Sequence, residues 1–302
     1  MECNRIFRLD EHQELFEKQG FVQINLLNNK AIKKLNVIFD KLHKKTNNDG
    51  FVSGGYSCDL EYKKQSSELI SEITQPFLEK YLINYKIYGS TFVYKTPTKN
   101  SELGPHQDWT IVDEEKYVSA NCWIPLHDIN RRCGPLYVMP GSHYANHKVI
   151  RSPNMGYYYD NYKRTVLKYL VPMLVKSGTA VILNHSIIHY SSVNRSSSIR
   201  RALITALKSK NAETILYYLN SGNNKLEKYA VNENFAIEYN DFFNENKLVP
   251  KGKLLNSTDY KQLNYSKREI EEHFIHLVNS SGYFKRNIDM EINKIRNIVS
   301  LW

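Results

Sequence analysis

YVSANCWIPLHD, residues 117–128, alternates apolar side chains with others at every second position. Successive side chains of an extended strand point to opposite faces of a sheet, so residues two apart share a face. One face would carry Val118, Ala120, Cys122, Ile124 and Leu126, and the other Ser119, Asn121, Trp123 and Pro125. A period of two over this length predicts a β-strand packed on a core.

Four further stretches around it have the composition of short strands. They are KIYGSTFVYK at 86–95, GPLYVMPG at 134–141, GTAVIL at 178–183 and RALITALK at 201–208. Glycine and proline separate them, and no strand–helix–strand rhythm is visible, which argues against a parallel doubly wound sheet. Short strands at this spacing predict a β-sandwich or barrel between residues 85 and 210.

Helical patterns precede these strands, in an N-terminal part that covers residues 1–84. Residues 10–19, 29–45 and 66–82 have the residue patterns of helices. GFVQINLL, residues 20–27, is typical of a short strand between the first two helices. The N-terminal part is therefore predicted to be mainly helical.

Two other segments differ from the strand region. Residues 144–170 include MGYYYDNYKR and interrupt the strands; such an insertion is either a lid or binding loop, or a surface loop whose tyrosines pack on the barrel. Residues 211–302 are expected to form a helical extension. Ser266 and Glu269 have the spacing of a capping box there, and a last helix is predicted from about residue 286.

Bulk composition is typical of a soluble globular protein, with 41% apolar and 24% charged residues. No apolar run reaches the roughly 18 residues that a membrane-spanning helix needs, and the first residues lack the apolar segment of a secretory signal. The four cysteines show no CxxC spacing. We therefore expect one domain over residues 1–302, reduced thiols, no membrane span and a cytoplasmic location.

The chain carries a formal net charge of +10, from 41 Lys and Arg against 31 Asp and Glu. An excess of this size is compatible with an anionic partner. However, no block of about five or six like charges occurs, which favours a basic surface without a dedicated partner. Zinc-finger spacing and RNP-like aromatic runs are absent from the sequence, so no nucleic-acid partner is expected.

GPHQDW, residues 104–109, offers the first candidate metal ligands. In an extended segment His106 and Asp108 point to the same side, while Gln107 faces away. A neutral imidazole and a carboxylate suit a divalent transition metal. A second histidine from a distant strand would complete the two-histidine, one-carboxylate triad of non-haem Fe(II) oxygenases. A His-x-Asp pair alone is a weak signal, since an ordinary turn has the same residues.

NHSIIHYSSVNRSSSIRRAL, residues 184–203, supplies a second histidine and an anion anchor. His185 and His189 both follow an apolar strand; we favour His189 as the ligand and His185 as a structural or supporting histidine. Arg200 begins the next strand, where its planar guanidinium can form a bidentate pair with a carboxylate. Such a pair would hold the far end of 2-oxoglutarate while the keto acid end chelates iron.

Three motifs in this order resemble the phytanoyl-CoA dioxygenase family: the His-x-Asp pair, then CGPLYVMPGSH, then HYSSVNRSSSIRRAL. ELFEKQGFVQINLLNNKAIKKLNVIFDKL is also similar to the family's opening helix, strand and helix. The resemblance covers about residues 8–210. It implies an α+β fold whose core is a double-stranded β-helix, the jelly-roll or cupin-like architecture, with N-terminal and C-terminal helices.

The resemblance also implies roles for individual residues. His106, Asp108 and His189 match the iron ligands of the family, which act as its catalytic centre. Arg200 matches the arginine that binds the C5 carboxylate of 2-oxoglutarate, and Ser191 matches a hydroxyl that supports it. Fe(II), 2-oxoglutarate and O2 are thus the implied cofactor and cosubstrates.

Weaker matches lie on the strands. Asn121 falls where similar enzymes often contact the cosubstrate, and Trp123 matches a frequent tryptophan; ordinary barrel packing is an equal alternative for both. Lys95 is a looser candidate for facing the cosubstrate. Halogenating relatives replace the carboxylate ligand by a small residue, so Asp108 favours hydroxylation, desaturation or ring closure over chlorination.

The implied activity is hydroxylation of an unactivated C–H bond, with release of succinate and CO2. A non-catalytic cupin-like binding protein is one alternative, against which the intact triad argues. A metal-dependent hydrolase or isomerase is another, against which Arg200 and Ser191 argue. The expected substrate is a small-molecule metabolite or natural-product intermediate.

Basic residues near the motifs leave an anionic, CoA-bound or carrier-bound substrate open. They are Arg131, Arg132, Lys148, Arg151, Arg195, Arg201 and Lys208. A solvated basic surface explains the same residues and is slightly favoured.

Overall fold

The structure, a computed structural model, describes residues 5–44, 49–146, 149–239, 249–261 and 265–284. Its larger core sheet has the strand order β1 (Phe21–Asn25), β8 (Thr179–Asn184), β5 (Ser119–Pro125), β10 (Arg200–Ser209), β3 (Tyr85–Lys95) and β2 (Phe51–Ser53). The smaller core sheet has the order β4 (Leu103–His106), β9 (His189–Ser191), β6 (Leu136–Val138) and β7 (Val171–Pro172). All neighbouring strands pair antiparallel, and this architecture of antiparallel sheets with helices confirms the predicted fold class.

β5, the strand predicted from alternation, lies in the middle of the larger sheet and is buried on both faces. Cys122 and Ile124 pack with helices on one face. Trp123, on the other face, packs with Leu136 and Val138 of the smaller sheet. Because two layers cover the strand, its second face carries large and polar side chains directed into the interior rather than to solvent.

Three helices cover the outer face of the larger sheet: α1 (Asp10–Gln19), α2 (Asn29–Leu42) and α3 (Leu60–Leu78). Two short helices, α4 (Ser142–Asn146) and α5 (Lys163–Val166), follow later in the chain. α3 begins at Leu60 rather than at the predicted residue 66, because the Asp59 side chain accepts a hydrogen bond from the Tyr62 amide and caps the helix earlier. None of the helices in the described ranges is long and apolar enough to cross a membrane.

The prediction of a helical extension over residues 211–302 is wrong for much of its described length. An antiparallel sheet lies there, made of β11 (Ile215–Asn220), β12 (Lys225–Ala230) and β13 (Lys253–Asp259). β13 is exposed along its whole length, so no alternation of apolar and polar residues marks it as a strand.

The same part of the chain contains two helices, α6 (Phe235–Glu238) and α7 (Lys267–Ser280). α7 begins with the predicted capping box: the Ser266 hydroxyl accepts from the Glu269 amide, and the Glu269 carboxylate accepts from the Ser266 amide. The helix predicted from residue 286 lies outside the described residues.

The tyrosine-rich insertion packs against α7. The rings of Tyr159 and Phe274 lie 5.4 Å apart, and Lys168 Nζ forms an ion pair of 2.7 Å with Glu271. The insertion is thus held from outside by the C-terminal part of the chain, while its N-terminal end reaches the candidate site described below.

Candidate metal and cosubstrate site

The smaller sheet brings together three candidate metal ligands. His106 ends β4 and His189 begins β9, and the antiparallel register places the two residues directly opposite each other. Asp108 follows β4 by two residues, and its Oδ2 lies 3.8 Å from His189 Nε2. One ligand atom from each residue lies within 4.8 Å of the other two. Donors about 2.0–2.2 Å from a shared ion are about 3–3.5 Å apart, so a small inward movement of these side chains lets the cluster hold a single divalent metal.

Backbone carbonyls fix the orientation of both imidazoles. His106 Nδ1 donates to the Gly104 carbonyl at 2.8 Å, and His189 Nδ1 donates to the Ile187 carbonyl at 3.1 Å. With the proton on Nδ1, the Nε2 lone pair of each ring is free for a metal ion. Burial, and then the neighbouring His189, lower the pKa of His106 to about 4, so His106 is neutral at physiological pH.

The Asp108 carboxylate is held by its neighbours in the charged form. Burial acts to raise its pKa, but the imidazoles of His189, His185 and His106 together with the Asn121 amide keep the pKa below its usual value. Asn121 Nδ2 donates to Asp108 Oδ2 at 2.8 Å. Asn121 therefore contacts a candidate metal ligand directly, a role that the sequence did not suggest for it.

The backbone of Asp108 is anchored by the insertion. Arg151 Nε donates to the Asp108 carbonyl at 2.9 Å. The same guanidinium forms a bidentate pair with Glu114, at 2.6 Å and 2.8 Å, and both side chains are largely buried. In the sequence, Arg151 was a candidate to bind an anionic substrate. In the structure its guanidinium is instead paired with Glu114 and hydrogen-bonded to the loop that carries Asp108.

A second group of residues surrounds the candidate cosubstrate anchor. Arg200 is buried at the start of β10, with its guanidinium 5.6 Å from the centre of the Trp123 ring. Its Nε has no hydrogen-bond partner, and it forms no salt bridge with a carboxylate of the described residues. Burial lowers the pKa of Arg200 to about 10, so it remains a cation. An unpaired buried guanidinium fits an incoming carboxylate.

Lys95 and Ser191 lie beside Arg200. Lys95 stands opposite Arg200 on β3 and is fully buried; its Nζ donates to the carbonyls of Ser191 and Ser192 at 2.8 Å and 2.7 Å. The Ser191 hydroxyl donates to the Gly134 carbonyl at 3.4 Å, a long bond that it can exchange for a ligand. Lys95 thus supports the backbone of the strand that carries His189 and Ser191.

All seven residues predicted for the site line one cavity of about 740 Å³. They are His106, Asp108, Asn121, Trp123, His189, Ser191 and Arg200. His185 lines the same cavity but lies outside the cluster of ligand atoms. The structure therefore brings the predicted residues together, and their roles remain predictions.

The sequence missed an aromatic wall of this cavity, which we define as Tyr56, Trp109 and Tyr239. The Trp109 and Tyr239 rings are 4.9 Å apart, and Tyr56 is 6.3 Å from Trp109 and 6.1 Å from Tyr239. Tyr157 of the insertion adds a ring 5.3 Å from that of His106. Only Trp109, next to Asp108, and Tyr157, in the tyrosine run, carried a local signal; Tyr56 and Tyr239 come from remote segments.

Comparison with known proteins gives the same assignment for the core of the chain. The family model for phytanoyl-CoA dioxygenase (PhyH) matches residues 9–202. Phytanoyl-CoA dioxygenase 1 of Oryza sativa subsp. japonica is 33% identical over 120 residues, which are 39% of this chain and 42% of that protein. Phytanoyl-CoA dioxygenase domain-containing protein 1 of Danio rerio is 30% identical over 126 residues, 39% of this chain and 43% of that protein. The matches span less than half the length of these relatives.

Solved structures share the fold at low sequence identity. The non-heme alpha ketoglutarate dependent carbocyclase SnoK from nogalamycin biosynthesis has a TM-score of 0.51 at 18% identity, covering 68% of this chain and 86% of its own. HygX from Streptomyces hygroscopicus, with nickel and 2-oxoglutarate bound, has a TM-score of 0.50 at 13% identity, covering 66% of this chain and 86% of its own. These likenesses support the jelly-roll core.

Proposed function

The chain belongs to the phytanoyl-CoA dioxygenase family, and from this membership we propose that it is an Fe(II)- and 2-oxoglutarate-dependent oxygenase that hydroxylates an unactivated C–H bond of a small-molecule metabolite. One observation carries the proposal: His106, Asp108 and His189 converge in the same cavity as the unpaired guanidinium of Arg200. Two imidazoles and a carboxylate suit Fe(II). A buried cation without a carboxylate partner suits a dicarboxylate.

In this proposal the three ligands hold iron, and Arg200 with Ser191 holds the distal carboxylate of 2-oxoglutarate. When bound, iron and 2-oxoglutarate together activate O2 and oxidise a C–H bond of the substrate, with succinate and CO2 as co-products. The chain's own residues position these partners. Asn121 orients the Asp108 carboxylate through its hydrogen bond to Oδ2.

Hydroxylation is proposed over halogenation because Asp108 occupies the position that a halide would need. Desaturation and ring closure use the same ligands, and SnoK is described as a carbocyclase. Product mass separates these outcomes, since hydroxylation adds one oxygen atom whereas desaturation and ring closure remove two hydrogens. For the location of the enzyme we propose the cytoplasm, from the cysteine pattern alone.

The test begins with metal-free protein under anaerobic conditions, to which Fe(II) and then 2-oxoglutarate are added. A visible charge-transfer band that requires both additions is expected, because a chelated keto acid accepts charge from Fe(II). His189→Ala should lose the band, and His185→Ala, on the neighbouring histidine, should keep it. Arg200→Ala should raise the 2-oxoglutarate concentration needed for half of the band.

Two results would overturn the proposal. Absence of the band with iron bound would remove the dioxygenase assignment and favour a binding protein or another metal chemistry. An unchanged 2-oxoglutarate requirement in Arg200→Ala would remove the anchor assignment. Once the charge-transfer band has been observed, oxygen uptake and product mass are measured over a panel of candidate metabolites.

A further inference from the structure

The proposed iron and cosubstrate sites leave two polar side chains of the cavity without a use. His185 is only 2% exposed and lines the cavity, and neither of its ring nitrogens has a hydrogen-bond partner. Its ring packs edge-on against that of Tyr88, 6.4 Å away, which also lines the cavity. Buried imidazole nitrogens are normally hydrogen-bonded, so an orphaned pair beside a cavity points to a ligand.

The chemistry of these two side chains defines what they can bind. An imidazole offers one donor and one acceptor nitrogen, and a phenol offers an O–H donor and an acceptor oxygen. Both side chains line the cavity. Donors and acceptors of this kind match a hydroxyl or carbonyl oxygen.

The aromatic wall defines the other part of the ligand. Its three rings lie 4.9–6.3 Å apart, which is direct ring-to-ring contact, and Phe235 packs behind Trp109 at 6.5 Å. Because the rings contact one another, they form one continuous surface and not the separated walls of an aromatic cage. It offers instead a continuous apolar face on which a ring can pack.

Charged side chains are scarce in the cavity. Apart from its histidines, the acidic and basic side chains among the described lining residues are those of Arg200, Asp108 and Asp59. The first two serve the cosubstrate and the metal, and Asp59 caps α3. The basic residues that the sequence offered for an anionic substrate point elsewhere: Arg201 pairs with Asp40 and Lys208 with Glu233.

We infer that the substrate is an uncharged ring compound bearing a hydroxyl or carbonyl oxygen, with its ring packed on the wall of Tyr56, Trp109 and Tyr239 and its oxygen hydrogen-bonded to His185 and Tyr88. This inference rests on the proposed function, because it assigns Asp108 and Arg200 to iron and 2-oxoglutarate. It places the substrate oxygen on the side of the cavity where the His185 carbonyl holds the Asp108 amide at 2.9 Å, next to the metal ligands.

The experiment uses protein loaded with Zn(II) and 2-oxoglutarate, since Zn(II) takes the same ligands and is diamagnetic. Ligand-observed NMR measures the binding of four probes that differ in one substituent: benzyl alcohol, ethylbenzene, benzoate and benzylammonium. Benzyl alcohol is expected to bind about 10-fold more tightly than the other three, the size of effect that neutral hydrogen bonds produce. His185→Phe should abolish the preference over ethylbenzene, and His185→Gln should retain part of it. His276→Phe, on the exposed face of α7, is the matched control.

The Fe(II) and 2-oxoglutarate band is recorded for the same variants, which separates this inference from the proposed function. If the wild-type protein shows no such band, the proposed function has failed. If the band is present, three results overturn the inference alone: a charged probe that binds as tightly as benzyl alcohol, a preference unchanged in His185→Phe, or no binding of any probe.

Discussion

Arg200→Met should make the metal-free protein more stable while abolishing its use of 2-oxoglutarate. Burial lowers the pKa of Arg200 from 12.5 to about 10, which corresponds to about 3 kcal/mol of unfavourable free energy for the buried cation at neutral pH. The contact with the Trp123 ring at 5.6 Å offsets about 1–2 kcal/mol of this. Methionine fills similar space without a charge, so we expect a net gain of about 1–2 kcal/mol in the free energy of unfolding.

The assay is urea unfolding of wild-type and variant protein, each with and without 2-oxoglutarate and Zn(II). In the presence of both ligands the wild-type protein should instead be more stable than Arg200→Met. A ligand at about 100 times its dissociation constant stabilises the wild-type protein by about 2.7 kcal/mol. Arg201→Met is the matched control on the same strand: Arg201 pairs with Asp40 at 3.0 Å and packs on the Phe39 ring, so its loss should cost stability. A metal-free Arg200→Met protein that is less stable than wild type would refute the reasoning.

Three further predictions concern the neighbours of the metal ligands. Arg151→Met should lower the free energy of unfolding by about 3 kcal/mol, because it leaves the Glu114 carboxylate buried without its cation. Urea unfolding should show that adding Glu114→Gln to this variant restores part of the lost stability. A loss below about 1 kcal/mol in Arg151→Met alone would contradict this prediction. Asn121→Leu should weaken metal binding about 10- to 100-fold in calorimetry, since the amide no longer orients the carboxylate; unchanged affinity would remove that role. The folded pKa of His106, about 4, lies below its unfolded value of 6.5. The unfolded state therefore binds the extra proton, and the stability of metal-free protein should fall as pH decreases from 6.5 to 4; unfolding across this range should show a smaller fall in His106→Gln.

Local sequence patterns were sufficient to locate strands of the core and to single out the candidate metal ligands. Alternation in residues 117–128 located β5, and the two-residue spacing of His106 and Asp108 predicted that both side chains share a side. The position after an apolar strand suited both His185 and His189, and the resemblance to the family favoured His189. The antiparallel register that sets His189 opposite His106 then accounts for the convergence.

What the sequence did not reveal depends on contacts between remote segments. Tyr56, Trp109 and Tyr239 form one wall although they come from three separate parts of the chain. β13 carries no alternation because every residue of it is exposed. Arg151 is of a residue type that binds anions, and only the position of Glu114 in the folded chain shows that its charge is already paired.

The contact between the insertion and α7 joins the candidate site to a part of the chain outside the family match. α7 lies beyond residue 202, where that match ends, yet its Phe274 packs on Tyr159 of the segment that also carries Arg151 and Tyr157. Arg151 holds the backbone of Asp108, and the Tyr157 ring lies beside that of His106. A helix that contributes no metal ligand and no cosubstrate anchor thus supports the segment that holds the surroundings of two metal ligands in place.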